Sequence, residues 1–266
     1  MSSELSARAL DFSGARALFT GVAEGNLALH VGDDPREVKK RREALERKLG
    51  APLVFVEQVH SADVAIVRTE ADVREMRERA RVADALVTPM ADVALAIMVA
   101  DCVPVVLAEE SSGVMGAAHA GRRGLLGGVL GATVEAMASL GASPKNIHAI
   151  IGPSVCGRCY EVPEQMFDES VAKHEALASR TSWGTPALDL PAGAVAELRA
   201  AGLAHESIEV IERCTLESEE LFSYRRDSHT GRFAGVIWRH SPEAEEWCVA
   251  HPATRAEIPS RPGSLR

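Results

Sequence analysis

The sequence predicts an α+β fold: a single domain with central mixed β-sheets flanked by helices. Dense apolar runs rich in Val, Ile and Ala occupy the middle of the chain and show little alternation, which is typical of strands buried on both faces. Segments with helix-capping signals lie before and after these runs, without a regular strand–helix alternation. A chain of 266 residues is long enough to bury one large core.

A strand and a helix are predicted near the amino terminus. Weak alternation over residues 15–31 indicates the strand. Asp34 before Pro35 is a typical N-cap and first helical residue, and Glu37 stands where a capping box needs it. The helix is expected to end at Gly50, which suits the left-handed position after a helix.

The next segment predicts a β-hairpin followed by a short helix. Residues 52–60 and 63–69 are apolar and rich in β-branched side chains, with a short turn between them. This hairpin would place His60 at the rim, where its first strand ends. The charged segment 70–81 predicts a short exposed helix.

Buried strands and further helices are predicted in the rest of the chain. The three strand-forming runs are DALVT (84–88), VALAIMVADCVPVVLAE (93–109) and GVMGAAHAG (113–121). The later predictions are helices at 121–140, 163–177 and 190–201, the last capped by Asp189, and strands at 147–151, 207–211 and 233–238. We assign residues 1–240 to the domain and residues 241–266, which contain four prolines, to an irregular tail.

Composition excludes several function classes. A net charge of −9 argues against a nucleic-acid-binding surface, and the basic stretch 39–42 alternates with glutamates as a solvated helix face does. The longest apolar run is broken by Asp101 and Pro104 and is too short to span a bilayer, and residues 1–8 lack an apolar signal region. Five scattered cysteines indicate a reducing compartment. We therefore expect a cytoplasmic protein, monomeric or weakly dimeric, without nucleic-acid or membrane partners.

A three-ligand metal site is the main chemical hypothesis. Cys102 and His119 lie within apolar runs, and His60 adds a third soft ligand. Three such ligands suit zinc and leave one position open for water or substrate. Each residue also has an ordinary interpretation, because buried cysteines commonly serve as small hydrophobic side chains. Cys102 and His119 could also be a thiol nucleophile and its base, but a second histidine favours a metal.

Two further motifs remain open. Cys156 and Cys159 form a CxxC motif that is compatible with redox chemistry, with half of a structural zinc site, or with no special role. A zinc deaminase motif is excluded, because Gly121 stands where that motif requires a glutamate. Residues 121–124 (GRRG) at a predicted helix start indicate either an anion site or a glycine turn with solvated arginines.

A series of ordered motifs resembles one known family, the laccase-domain family. This family was once called multicopper polyphenol oxidoreductases and is now regarded as zinc-dependent purine nucleoside phosphorylases. The matching segments are Asn26-Leu27, HVGDDP (30–35), EQVH (57–60), ADALVT (83–88), ADCVPVVLA (100–108), GAAHAGRRG (116–124), IGPSVCGRCYEV (151–162), FSYRRD (222–227) and TGRFAGVIW (230–238).

The resemblance implies a zinc ion bound by His60, Cys102 and His119. It also implies phosphorolysis of adenosine, inosine, guanosine and methylthioadenosine, together with deamination of adenosine. Purine nucleosides and phosphate are then the expected partners. Two departures from the family pattern stand out: Arg122 replaces the usual tryptophan, and the segment before Asn26 is shortened.

Six more residues are predicted to serve the reaction. Phosphate would be held near Arg123 and attack C1′ of the ribose. Asp101 and Gln58, each beside a metal ligand, would orient substrate, water or the histidines. The predicted catalytic residues are Asp101, Gln58 and Arg123, and the predicted substrate-binding residues are Asn26, Tyr160 and Arg232.

Two alternative functions are kept. The first is a copper-dependent polyphenol oxidase, with copper in place of zinc; it would need several copper sites, whereas the chain has nine histidines and no His-x-His pair. The second is a binding or cell-wall precursor-editing protein in which the metal is structural.

Overall fold

The computed structural model describes residues 10–241, and within them the chain forms thirteen strands and seven α-helices. The strands are β1 (Leu10–Phe12), β2 (Ala15–Phe19), β3 (Leu53–Val54), β4 (Val64–Ile66), β5 (Ala85–Thr88), β6 (Val93–Val99), β7 (Val103–Glu109), β8 (Val114–Ala120), β9 (His148–Ile151), β10 (Ala178–Arg180), β11 (Pro186–Leu188), β12 (Ile208–Val210) and β13 (Phe233–Arg239). The helices are α1 (Pro35–Leu49), α2 (Glu70–Glu78), α3 (Arg122–Leu126), α4 (Val129–Ser139), α5 (Glu164–Lys173), α6 (Leu190–Ala200) and α7 (Tyr224–Asp227). The predicted tail, after Ser241, lies outside the described residues.

Two mixed sheets form the centre of the molecule. The first sheet has the strand order β1-β2-β13-β6-β3, and the second has the order β12-β9-β7-β8-β5-β4. Most neighbours are antiparallel, but β3 pairs parallel with β6, β4 with β5, and β12 with β9. The predicted α+β fold, a single domain with mixed sheets and flanking helices, is therefore confirmed.

The two sheets pack face to face, and helices cover their outer faces. Ile97 and Phe233 of the first sheet share one buried cluster with Val106 of the second sheet. Val105 and Leu107 point the opposite way, into a cluster with residues of α4 and α6, as the two-residue period of a strand requires. Helix α1 covers the outer face of the first sheet. Both faces of each sheet are buried, which explains the weak alternation in the sequence.

Helix α1 has the predicted bounds but not the predicted capping box. The Asp34 carboxylate accepts a hydrogen bond of 2.8 Å from the amide of Arg36, and Gly50 adopts the left-handed conformation with φ 69°. Glu37 does not reach back to the cap. It pairs instead with Lys40 at 2.7 Å, one turn further along the exposed face.

The predicted hairpin around His60 is wrong. Strand β3 joins β6 in the first sheet, whereas β4 joins β5 in the second sheet. Each segment is largely apolar, so each pairs with a buried strand rather than with its neighbour in sequence. The connection that contains His60, with φ 62°, therefore crosses from one sheet to the other.

Two predicted elements divide at residues with positive φ. The middle apolar run forms β6 and β7, which belong to different sheets, and the chain turns between them at Asp101 with φ 87°. The helix predicted over 121–140 divides into α3 and α4 at Gly128, with φ 85°. Neither conformation continues a strand or a right-handed helix.

Six predicted helices and strands are confirmed, and four short elements were not predicted. Helices α2, α5 and α6 and strands β9, β12 and β13 occupy predicted segments, and Asp189 caps α6 by accepting from the amide of Ala192 at 2.9 Å. Strands β1, β10 and β11 and helix α7 are short and were not predicted. No helix in the described part of the chain is long and apolar enough to cross a membrane.

Candidate metal centre

The three predicted metal ligands converge at one edge of the second sheet. One ligand atom from each of His60, Cys102 and His119 lies within 4.8 Å of the other two, and the Cys102 sulfur is 3.7 Å from Nε2 of His60. Strand β7 begins beside the end of antiparallel β8, so Cys102 and His119 come to the same edge. The segment crossing between the sheets brings in His60.

A buried carboxylate holds both histidines in place. Asp84 is fully buried and accepts a hydrogen bond of 2.7 Å from Nδ1 of His119, which leaves Nε2 of that ring free for a metal. The same carboxylate accepts from the amides of Val59, His60 and Ser61 at 3.1, 2.9 and 2.6 Å. A carboxylate behind a ligand histidine fixes its tautomer and raises its basicity. Asp84 therefore connects the sheet to the segment that carries His60.

The donor set fits a soft divalent metal. Burial by itself raises the pKa of the Cys102 thiol, but the charges and hydrogen bonds of His119 and His60 reverse this effect and lower it. A thiolate with two imidazoles is a ligand set that zinc accepts and that copper also accepts. Space beside the group is limited, because a Cβ on Gly121 would lie 2.6 Å from Cδ2 of His60. The residues present therefore fit a bound metal ion.

The candidate metal centre lies in the wall of a cavity of about 1040 Å³. All three candidate ligands line it. Its other walls combine cationic and aromatic side chains: Arg42, Arg225 and Arg232 with Phe55, Tyr160 and Tyr224. A cavity with a metal ligand set, guanidinium groups and aromatic rings suits an anionic or polar ligand that carries a flat ring.

Gln58 and Asp101 line the cavity, but other residues occupy their polar atoms. The Gln58 amide donates to the carbonyl of Met98 at 2.7 Å and accepts from its amide at 2.9 Å. Asp101 accepts hydrogen bonds from the hydroxyls of Thr215 and Ser223 and, at 2.7 Å, from the amide of Arg225. Both side chains position the cavity wall around Cys102.

The other predicted substrate residues are divided between the cavity and its surroundings. Tyr160 and Arg232 line the cavity. Asn26 does not: its amide bonds Ala28 and Asp33 and accepts from the backbone of Arg232, so it braces a loop behind the wall. Arg123 is exposed in the first turn of α3 and is not among the residues that line the cavity.

Sequence reasoning missed three residues that the fold brings to this site. Asp84 is a carboxylate at the start of an apolar strand, which is a signal for a buried, hydrogen-bonded role. Arg42 belongs to a basic stretch that resembled a solvated face, yet its guanidinium lies 4.1 Å from the ring of Phe55. Arg225 lies in the FSYRRD motif, where nothing distinguishes it from its neighbour.

The chain matches one protein family and several named relatives over most of its length. Residues 14–240 match the family model described as multi-copper polyphenol oxidoreductase laccase. Purine nucleoside phosphorylase SCO2081 of Streptomyces coelicolor is 50% identical over 218 residues, covering 81% of this chain and 88% of the relative. Purine nucleoside phosphorylase YlmD of Geobacillus stearothermophilus is 39% identical over 236 residues, covering 84% of each chain.

Solved structures show the same fold. The crystal structure of YlmD from Geobacillus stearothermophilus matches with a TM-score of 0.76 at 36% identity, covering 86% of this chain and 93% of that one. The Neisseria meningitidis protein NMB0706 also matches with a TM-score of 0.76, at 32% identity, covering 88% of this chain and 99% of that one. The chain therefore belongs to the multi-copper polyphenol oxidoreductase laccase family, and its Streptomyces coelicolor and Geobacillus stearothermophilus relatives are named purine nucleoside phosphorylases.

Proposed function

We propose that this protein is a zinc-dependent purine nucleoside phosphorylase that also deaminates adenosine. The observation that carries the proposal is the His60, Cys102 and His119 group in the wall of a cavity lined by arginines and aromatic rings. The names of the relatives that share the fold support the same reaction class. The proposed substrates are adenosine, inosine, guanosine and methylthioadenosine, with phosphate as the second substrate.

Phosphate would bind to the arginines of the cavity wall. The chain has a net charge of −9, yet three guanidinium groups meet in this one cavity. Arg225 is the best placed of them, because its amide is held by Asp101 and its guanidinium lies over the ring of Tyr160 at 4.8 Å. Arg232 uses its guanidinium on the carbonyls of Thr230 and Gly231, so it is less available. A guanidinium presents several N–H donors to phosphate oxygens.

The nucleoside would place its flat purine against the aromatic side of the cavity, where stacking needs no particular base. In phosphorolysis a phosphate oxygen attacks C1′ of the ribose. The bond from C1′ to the purine nitrogen breaks, and its electron pair leaves with the base, which then takes up a proton. Burial and the charges of Arg232 and Arg42 lower the pKa of His30 in the same wall. Its imidazole is therefore neutral at pH 7 and can hydrogen bond to the purine.

His60, Cys102 and His119 would hold the zinc ion. When bound there, zinc supplies a Lewis acid that polarises substrate oxygen or activates water, which is the chemistry that deamination needs. Asp84 keeps His119 in the tautomer that can bind the metal. Gln58 and Asp101 hold the neighbouring backbone, so we assign them positioning roles.

The proposal is tested with purified, zinc-loaded protein and each of the four nucleosides, with and without phosphate. Phosphate-dependent release of the free base is expected, with ribose 1-phosphate as the second product, or methylthioribose 1-phosphate from methylthioadenosine. Phosphate-independent formation of inosine from adenosine is also expected. Cys102→Ala should lose both activities. Absence of turnover by the wild type, or full turnover by Cys102→Ala, would refute the proposal.

The phosphate site is tested by a matched pair of arginine variants. Arg225→Gln should raise the KM for phosphate about 10- to 100-fold, because a hydrogen bond to a charged group contributes about 1.5–3 kcal/mol. Arg123→Gln, at an exposed position outside the cavity, should leave this KM unchanged. The reverse result would assign the phosphate to Arg123 and the amino-terminal end of α3.

A copper-dependent polyphenol oxidase is the second candidate, favoured by the family description and by a donor set that copper accepts. Within residues 10–241, the second group able to hold a metal contains no histidine, whereas an oxidase with several coppers needs several histidine-rich sites. Oxygen uptake on a phenol, with several copper ions per chain, would favour this candidate. A purely structural metal would instead predict no nucleoside turnover and unfolding on metal removal.

A further inference from the structure

A second group of metal-type ligands lies apart from the candidate metal centre. Cys156, Cys159, Cys214 and Glu217 each offer one ligand atom, and these four atoms all lie within 4.8 Å of one another. The fold brings them together from two segments that are 55 residues or more apart in sequence. We propose that this group, here called the three-cysteine cluster, is a structural zinc site with three sulfur ligands and one carboxylate ligand.

Both segments use the spacing that metal-binding turns require. Cys156 and Cys159 are three residues apart in a turn closed by a hydrogen bond of 2.9 Å from the amide of Cys159 to the carbonyl of Cys156. Cys214 and Glu217 repeat the same spacing in a second turn. Short ligand pairs of this kind are typical of structural zinc sites. The cluster therefore resolves the open CxxC motif by supplying the second pair that the sequence alone does not reveal.

A parallel bridge fixes the two turns against each other. The amide of Ser154 donates to the carbonyl of Arg213 at 3.2 Å, and the amide of Thr215 donates to the carbonyl of Ser154 at 3.0 Å. These bonds lie directly beside Cys156 and Cys214, so the ligand positions are set by the backbone. A preorganised ligand set binds a metal without a further ordering cost.

The distances and the burial suit a tetrahedral ion. With Zn–S bonds of about 2.3 Å, the ligand atoms of a tetrahedral site lie about 3.8 Å apart, which the group reaches by a small contraction. Cys159 and Cys214 are each 8% exposed, Cys156 is half-buried, and Glu217 is exposed. The buried sulfurs give the site a dry interior, and the side of Glu217 gives the ion a path from solvent.

Two hydrogen bonds connect the candidate ligands with their surroundings and with one another. The amide of Cys156 donates to the sulfur of Cys214 at 3.5 Å, a bond that stabilises negative charge on that sulfur. The Glu217 carboxylate is exposed on one side, and its Oε1 accepts a hydrogen bond of 3.6 Å from the Cys159 thiol. A carboxylate turned toward three thiols is an arrangement that a shared cation stabilises.

The three-cysteine cluster adjoins the cavity, and a metal ion bound to it would link the two segments that carry part of the cavity wall. Val155 and Tyr160, which line the cavity, flank the first turn, and Thr215 of the second turn donates to Asp101 beside Cys102. A zinc ion at the cluster would thus hold together the two segments that position the wall. This inference does not depend on the proposed phosphorylase activity, because it concerns metal content and stability alone.

Zinc stoichiometry tests the proposal. The wild-type protein, purified without chelators, should contain two zinc ions per chain by elemental analysis. Cys102→Ser and Cys159→Ser should each contain one, and the double variant none. Cobalt substitution reports which site is filled: the sulfur-to-cobalt charge-transfer band should remain largely intact in Cys102→Ser, where three of four thiolate ligands remain, and should fall most in Cys159→Ser.

A second pair of variants keeps the test decisive if Cys159→Ser does not fold. Glu217 is exposed, so Glu217→Ala and Glu217→Cys should both fold, as checked by circular dichroism. Glu217→Ala should lose its second zinc at a lower chelator concentration than the wild type, and Glu217→Cys at a higher one, because a thiolate replaces the carboxylate. Folded Cys159→Ser that keeps the full zinc content of the wild type would overturn the proposal. Fewer than the five thiols of the chain titrating in denaturant would also overturn it, because that result indicates a disulfide.

Discussion

Replacing Asp84 with asparagine changes one atom at the point where the sheet, His119 and the segment carrying His60 meet. Each oxygen of the Asp84 carboxylate accepts two hydrogen bonds: Oδ1 from His60 and His119, and Oδ2 from Val59 and Ser61. In Asp84→Asn, one of these oxygens becomes an NH₂ group that faces two donors. Either orientation of the amide therefore leaves two donors, partly or fully buried, without an acceptor.

The size of the effect follows from those two lost acceptors. A buried donor without a partner costs about 1–3 kcal/mol, so the free energy of unfolding should fall by about 2–6 kcal/mol. For a chain of this size the melting temperature should fall by about 5–20 °C, at about 2–4 °C for each kcal/mol. Loss of the carboxylate behind a ligand histidine should also weaken zinc binding about 10- to 100-fold.

Thermal unfolding followed by circular dichroism measures the first effect, and competition with a chromogenic chelator measures the second. Asp63→Asn is the matched control, because Asp63 is exposed in the same segment. The control should change the free energy of unfolding by no more than about 0.5 kcal/mol. If Asp84→Asn melts and binds zinc as the wild type does, the role assigned to this carboxylate is wrong.

Two further predictions concern a close approach and a buried acid. Gly121→Ala should weaken zinc binding about tenfold or more, because its Cβ would lie 2.6 Å from Cδ2 of His60 and 3.0 Å from the sulfur of Cys102. The control Gly131→Ala, whose Cβ would meet no atom nearer than 3.8 Å, should bind zinc as the wild type does. Equal zinc affinity in the two variants would contradict the reasoning. Burial raises the pKa of Glu197 from 4.5 to about 7, although two helix amides lower it. Between these two pH values the folded state keeps a proton that the unfolded state releases, so the free energy of unfolding should fall by up to about 3 kcal/mol as the pH rises through this range. Denaturant titrations at pH 5 and pH 7.5 should show this loss in the wild type and not in Glu197→Gln.

The sequence predicted the fold class correctly, but not which strands pair with each other. Helix α1 was correctly bounded because Asp34, Pro35 and Gly50 act on the backbone within a few residues of themselves. The hairpin prediction was wrong because the sequence of an apolar segment buried on both faces does not indicate which strand it pairs with. The sequence shows that Asp101 interrupts the central apolar run, but it does not show that β6 and β7 on either side of Asp101 join different sheets, because both strands are buried on both faces.

The candidate metal centre could likewise be predicted only in part from the sequence. Residue type suggested His60, Cys102 and His119 as soft ligands, and the resemblance of the ordered motifs to the family pattern selected them from the nine histidines and five cysteines of the chain. Their convergence, the carboxylate of Asp84 behind them, and the arginines of the cavity depended on contacts between residues far apart in the sequence. The sequence by itself determined the ligand types, the helix ends and the fold class, since these follow from side-chain chemistry and local backbone preference. Only the tertiary structure decided which side chains share the cavity and which, like Asn26 and Gln58, brace its walls, because the packing of buried strands sets those distances.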